Sequence, residues 1–200
     1  MIALLALGLM AWAVSSTKEA AQKPVTSGTR NRKRFTGELH NKVVQIARRL
    51  GLDVEILYGI MNFETMYTLN PQIKNGINCG GLIGFCPVYN ASFTQYIDGS
   101  LVGQPDNLLT KSASYQLDYV EKFFRDNIKT YGVPKNKVEM YLMVFHPASL
   151  RHVHKPDHIV GSEVSMTWAK AVAQQNAKAF LDSNGYVTIR SISKAIHQFI

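Results

Sequence analysis

Apolar positions recur at helical spacing over most of the chain. Leu39, Val43, Ile46, Ala47 and Leu50 form one stripe, with Thr36 as its N-cap and Gly51 as its C-terminal stop. Asp53 is placed to cap a second helix that buries Val54, Leu57, Tyr58 and Met61. Leu117, Val120, Phe124 and Ile128 predict a third, closed by Gly132. Pro134 suits the first turn of a fourth, running towards His146, where Pro147 stops it. Val164, Trp168, Ala171, Val172 and Gln175 mark a fifth, and Ile192, Ala195, Ile196 and Phe199 a last short one. No alternating run is long enough for a large sheet. The expectation is a mainly α domain with at most a small β-hairpin in the Gly-rich region.

Three segments break this pattern. Ile2 to Val14 are apolar throughout, too few for a membrane span of about 20 residues. The length of this run and its Ala11-Trp12-Ala13 fit a signal peptide, but no Lys or Arg precedes it. A short uncleaved anchor and a buried core helix stay open. Ser15 to Phe35 carry no acidic residue between Lys23 and Arg34 and show neither periodicity, which reads as a flexible basic linker. The expected organisation is therefore residues 1–14 as signal peptide or anchor, 15–35 as linker and 36–200 as one globular domain. Within the last, Leu69 to Val88 form a long irregular stretch rich in Gly, Asn, Pro and Cys, and loops of that length are usually functional.

Charge narrows the partners. Lys and Arg number 22 against 14 Asp and Glu, a net charge of +8. The surplus suits nucleic acid, anionic lipid or an acidic bacterial envelope, and equally plain solubility. The basic residues concentrate in the linker instead of interleaving with aromatics on one element, so no nucleic-acid partner is expected. Cys79 and Cys86 exclude a multi-disulfide scaffold and a four-cysteine zinc site. They fit either a bridge across a short loop or two buried thiols.

The candidate chemistry centres on Glu64. It ends the second helix beside Ile60, Met61 and Phe63, immediately before the long loop. Packing of that helix would desolvate the carboxyl and raise its pKa, as a general acid requires. Gly80-Gly81 fit either a tight turn or close backbone approach to a ligand. Tyr67, Phe85, Tyr89 and Tyr96 fit either sugar stacking or core.

Glu64-Thr65, Asn70-Pro71 and Gly81-Leu82-Ile83-Gly84-Phe85 together resemble the central signature of the lytic transglycosylase branch of the lysozyme-like superfamily. Virion-associated phage members are closest in style. The resemblance implies a lysozyme-like fold and cleavage of the N-acetylmuramic acid to N-acetylglucosamine bond of peptidoglycan. In that scheme Glu64 is acid and then base, and the muramoyl hydroxyl closes to a 1,6-anhydro product. It further implies substrate contacts from Thr65, Gly81, Leu82, Ile83, Phe85, Tyr141 and His146, with no cofactor and no metal. The partners would be glycan strands and, through the apolar run, a membrane, in a periplasmic, envelope or virion setting. Thr65 stands where the family has Ser, Gly84 where it has Gln, and Val144-Phe145-His146-Pro147-Ala148 where a Tyr-containing motif is usual.

Three rivals accompany this expectation. A lysozyme-type hydrolase would need a second carboxylate, and no Asp or Glu lies between Glu64 and Phe85. A zinc peptidase or amidase would use His146, His152, His154 and His158, although no His-Glu-x-x-His helix is present. An inactive wall-binding or virion assembly component would keep the scaffold alone.

Overall fold

The computed structural model describes residues 32–74, 80–85, 95–97, 100–102, 108–176 and 180–200. The apolar run 1–14, nearly all of the basic linker, Cys79, Cys86 and Tyr89 lie outside the described residues. Among the described residues no helix is long and apolar enough to cross a membrane.

The architecture is mainly helical. Helix α1 spans Gly37–Leu50 and turns Val43, Ile46, Ala47 and Leu50 inward. Gly51 closes it in the left-handed region at φ 68°, where a residue without Cβ is unstrained. Thr36 precedes it in extended backbone, but its side chain makes no capping hydrogen bond. Helix α2, Val54–Glu64, is capped as expected: the Asp53 carboxylate accepts the Glu55 and Ile56 amides.

Strands β1 (Gln95–Ile97) and β2 (Ser100–Val102) pair antiparallel, with Tyr96 opposite Leu101. This small hairpin lies beyond the Gly-rich stretch in which one was expected. Helix α3, Ala113–Tyr131, is capped by Ser112 and ended by Gly132. Helix α4, Lys137–Phe145, starts later than Pro134 suggests, because the Asn136 side chain accepts the Val138 and Glu139 amides. A 3-10 turn, Pro147–His152, follows it. Helix α5, Met166–Gln174, is capped by Ser165, so Val164 stays outside it and exposed. Helix α6, Ile189–Phe199, opens with a capping box between Thr188 and Ser191.

One hydrophobic core joins these elements. Helix α1 packs on α2 and α3, and α4 packs on α2 and α6. Gly59 in the middle of α2 has a packing reason: a Cβ there would lie 2.4 Å from Ile200 Cγ2. Ile200 thus plugs the helix surface.

The start of the long loop is tied to α3 by one side chain. Gln116 is fully buried. Its Oε1 accepts the Leu82 amide at 3.0 Å, and its Nε2 donates to the Pro71 carbonyl at 2.6 Å and the Leu108 carbonyl at 2.9 Å. The glycine pair is explained by the same packing. A Cβ on Gly80 would lie 2.1 Å from the Ile73 carbonyl oxygen, and one on Gly81, at φ 76°, would lie 2.6 Å from Gln116 Oε1. The close approach is made by the protein to itself. Leaving three buried backbone groups without their amide partner costs on the order of 3 kcal/mol, so Gln116→Leu is expected to lower the thermal midpoint by several degrees. A melting curve unchanged from wild type would refute this account of the loop.

Candidate functional site

Glu64 is the last residue of α2 and is only 3% exposed. Its position is set by the turn that follows. The Thr65 hydroxyl donates to the Met61 carbonyl at 2.6 Å and accepts the Leu69 amide at 2.9 Å. The Tyr67 amide donates to the Asn62 carbonyl, and the Thr68 hydroxyl to that of Thr65. These bonds hold Met66, Tyr67 and Leu69 at φ of 50°, 62° and 55°, where side chains with Cβ are strained. Such strain persists only where surrounding contacts over-determine the backbone.

Beside Glu64 stands an aromatic stack. Tyr141, Phe145 and Phe180 lie nearly parallel, with ring centroids 5.6 to 6.3 Å apart, and Phe63 meets Tyr141 edge-on. Complete burial, aided by the negative charge of Glu64, pushes the Tyr141 hydroxyl well above its ordinary value. The N-terminal approach is fixed here as well. The Asn62 side chain accepts the Lys33 amide and donates to the Lys33 carbonyl, Arg32 bonds the Ile200 carbonyl, and Arg34 pairs with Glu55. Residues 32–35 are therefore docked on the domain, although the sequence reads as linker.

The structure brings Glu64, Thr65 and Tyr141 together and sends His146 elsewhere. Thr65, Gly81, Leu82, Ile83, Tyr141 and His146 are all buried, and only Phe85 is half-exposed, its ring edge-on to Tyr119. Thr65 works as a helix clasp, and Leu82 and Ile83 fill the core.

A second polar cluster joins His146 and His158, read in the sequence only as zinc candidates, to Glu163 and Ser149, which no local motif marks. Glu163 receives four partners. Its Oε1 lies 3.0 Å from His146 Nδ1 and accepts the Ser149 hydroxyl at 2.5 Å. Its Oε2 lies 3.0 Å from His158 Nε2 and accepts the Gly161 amide at 3.1 Å. The Trp168 indole N–H donates to His146 Nε2, so that ring carries its proton on Nδ1 and gives it to Glu163. Ser149, His146 and Glu163 do not form a nucleophilic triad. In such a triad serine and acid bind opposite ring nitrogens, whereas here both meet Nδ1. Their role is to fasten the 3-10 turn and the 158–163 segment to α5. Among the described residues no three His, Cys, Asp or Glu side chains are placed to hold a metal ion, so the zinc alternative has no ligand set there.

Burial of Glu163 opposes its charge, but hydrogen bonds from His146 and Ser149 outweigh it and hold the carboxyl down to about 2. A carboxyl lowered on folding contributes stability that is present above its unfolded value and lost as pH falls through the folded one. Wild type is therefore expected to lose up to about 3 kcal/mol relative to Glu163→Gln on acidification from about pH 5 to about pH 2. Parallel acid limbs in urea titrations of the two proteins would contradict it.

Comparison with known proteins corrects the functional expectation. No family model matches the chain, and no solved structure does. The chain is similar to a fibrillarin-like rRNA/tRNA 2'-O-methyltransferase of Methanosarcina acetivorans. The two are 24% identical over 98 residues, 49% of this chain and 43% of the relative. The chain thus matches less than half of the relative's length.

That relative names RNA and methyl transfer, and it overturns the resemblance to lytic transglycosylases. Peptidoglycan cleavage at Glu64, glycan strands and a membrane as partners, and a phage setting lose their basis, as do the hydrolase, zinc and inactive wall-binding alternatives. The expectation that nucleic acid is not a partner loses its support as well, since the relative's name carries rRNA and tRNA. Much of the pattern that carried the resemblance is accounted for by packing. Thr65 closes a helix, Gly81 fits under Gln116, and Leu82 and Ile83 are core.

Proposed function

We propose that this chain binds RNA, and that the exposed edge where α1 meets α3 is the contact surface. One observation carries the proposal: beside the balanced Lys42–Asp118 pair, four cations share Glu121 and Asp126 along that edge. Glu121 accepts Arg49 in bidentate fashion, at 2.9 and 2.6 Å, and also pairs with Arg125. Asp126 pairs with Lys122 at 2.7 Å and Lys129 at 3.7 Å. Each carboxylate offsets one positive charge and steers two. Positions 121, 122, 125, 126 and 129 recur at three- and four-residue spacing, so they share one face of α3.

The surplus faces water. The side chains of Arg49 and Arg125 are half-exposed and that of Lys129 is 72% exposed. Hydrogen bonding from Arg49 holds the Glu121 carboxyl below its ordinary value, so the charges keep their arrangement at neutral pH. An arginine already oriented by a carboxylate loses less freedom on meeting a phosphate and can bind it through two parallel N–H groups. The net charge of +8 and the RNA named in the relative support the same partner class. The reading is confined to RNA contact. Among the described residues no glycine-rich turn leads from a strand into a helix to hold a nucleotide-like methyl donor.

The test is titration of a labelled single-stranded RNA by fluorescence anisotropy at several salt concentrations. Affinity is expected to fall linearly with salt on logarithmic axes, with a slope of about −0.7 for each phosphate neutralised. Arg125→Gln combined with Lys129→Gln keeps the Arg49–Glu121 pair and is expected to make that slope shallower by about 1.4. A variant that matches wild type at every salt concentration would exclude this edge, and a wild-type protein showing no salt-dependent binding would exclude RNA contact.

A further inference from the structure

The histidines at the far side of the Glu163 cluster have no role in the contact just proposed. The His152 and His158 rings stack with centroids 4.1 Å apart. His158 Nε2 is engaged by Glu163, whose other oxygen is taken by His146 and Ser149. Around this pair the chain runs Arg151, His152, Val153, His154, Lys155, with Arg151, His154 and Lys155 exposed. The charged groups facing His152 are His158 and Glu163 across the stack, with Lys155 and His154 from its own loop. Arg151 lies over the Tyr131 ring of α3.

This arrangement has a definite electrostatic shortfall. Two stacked imidazoles tolerate one proton, but a second sets like charges about 4 Å apart. Of the two carboxylates in reach of the loop, Glu163 is committed to four donors and Asp157, next to His158, is paired with Arg190 of α6 at 2.9 Å. Burial and the neighbouring His158 both push the His152 ring below its ordinary value. Doubly protonating the pair therefore needs an anion from outside, and the exposed Arg151, His154 and Lys155 would help to hold one.

We propose that the 151–158 loop is a second phosphate-binding site whose grip strengthens as the stacked histidines take up protons. On the RNA reading, on which this rests, the loop makes RNA affinity pH-dependent while the α1–α3 edge supplies a pH-independent part. Linkage is reciprocal: acid favours the bound phosphate, and bound phosphate raises the pH at which the pair is protonated.

The experiment has two arms. RNA affinity is measured at about pH 5.5 and about pH 7.5 at fixed ionic strength, where wild type is expected to bind roughly three- to tenfold tighter at the lower pH. His152→Phe keeps a stacked ring without a titratable nitrogen and is expected to remove that difference. Arg125→Gln with Lys129→Gln should weaken binding equally at both values. In the second arm, imidazole proton resonances are titrated by NMR with and without inorganic tripolyphosphate, which is expected to shift the His152 midpoint upward. RNA affinity that ignores pH, with that midpoint unmoved by tripolyphosphate, overturns the site and leaves RNA binding standing. An upward-shifted midpoint in a protein that binds no RNA at either pH would retain the phosphate site and remove the RNA reading.

Discussion

A buried amide with no freedom to choose its partners organises the middle of this molecule. Gln116 sits inside the domain on α3, and its side chain must satisfy both ends of its dipole there. It does so with the backbone at residues 71, 82 and 108, which belong to separate parts of an irregular stretch. The backbone groups at 71, 82 and 108 belong to no strand ladder among the described residues. One side chain substitutes for that ladder, and the two glycines fit the space beneath it. The placement of residues 71, 82 and 108 against α3 follows from this constraint, as does the burial of Leu82 and Ile83.

The two charged regions of the surface solve opposite problems. Along α1 and α3 positive groups outnumber carboxylates, and water screens the excess, so the pairs orient side chains more than they stabilise the fold. Around Glu163 a single carboxylate gathers four donors in a mostly buried site. There the hydrogen bonds fix three chain segments against one another, and the charge is needed by the fold itself. The first region keeps its positive charge available to a ligand. The second has exhausted its negative charge, and its outer imidazoles are left short of a counter-ion.

The helical layout was legible because each helix carries local signals: an apolar stripe, and at α2 and α3 a stop or cap at the expected residue. Asp53 and Gly132 act as read. Pro134 misled because a proline is permitted in a first turn without being required there, and Asn136 offers the backbone a better acceptor. The functional reading failed for a different reason. Glu64-Thr65 and the Gly81 to Phe85 segment form a spacing that several physical demands produce, and here helix closure and core packing account for most of it. Gln116, Glu163 and Ser149 left no trace in the sequence, and Trp168 showed only as part of an apolar stripe, since their partners are chosen by how the segments pack. The Arg49, Glu121 and Arg125 set was hidden likewise, because it forms only when α1 lies against α3.

The docking of Arg32 on the backbone of Ile200 brings the first described residue and the last to one spot beside α2, where Ile200 fills the hollow at Gly59. The two limits of the described segment therefore share one seat, and a substitution at Gly59 that displaced Ile200 would also unseat Arg32.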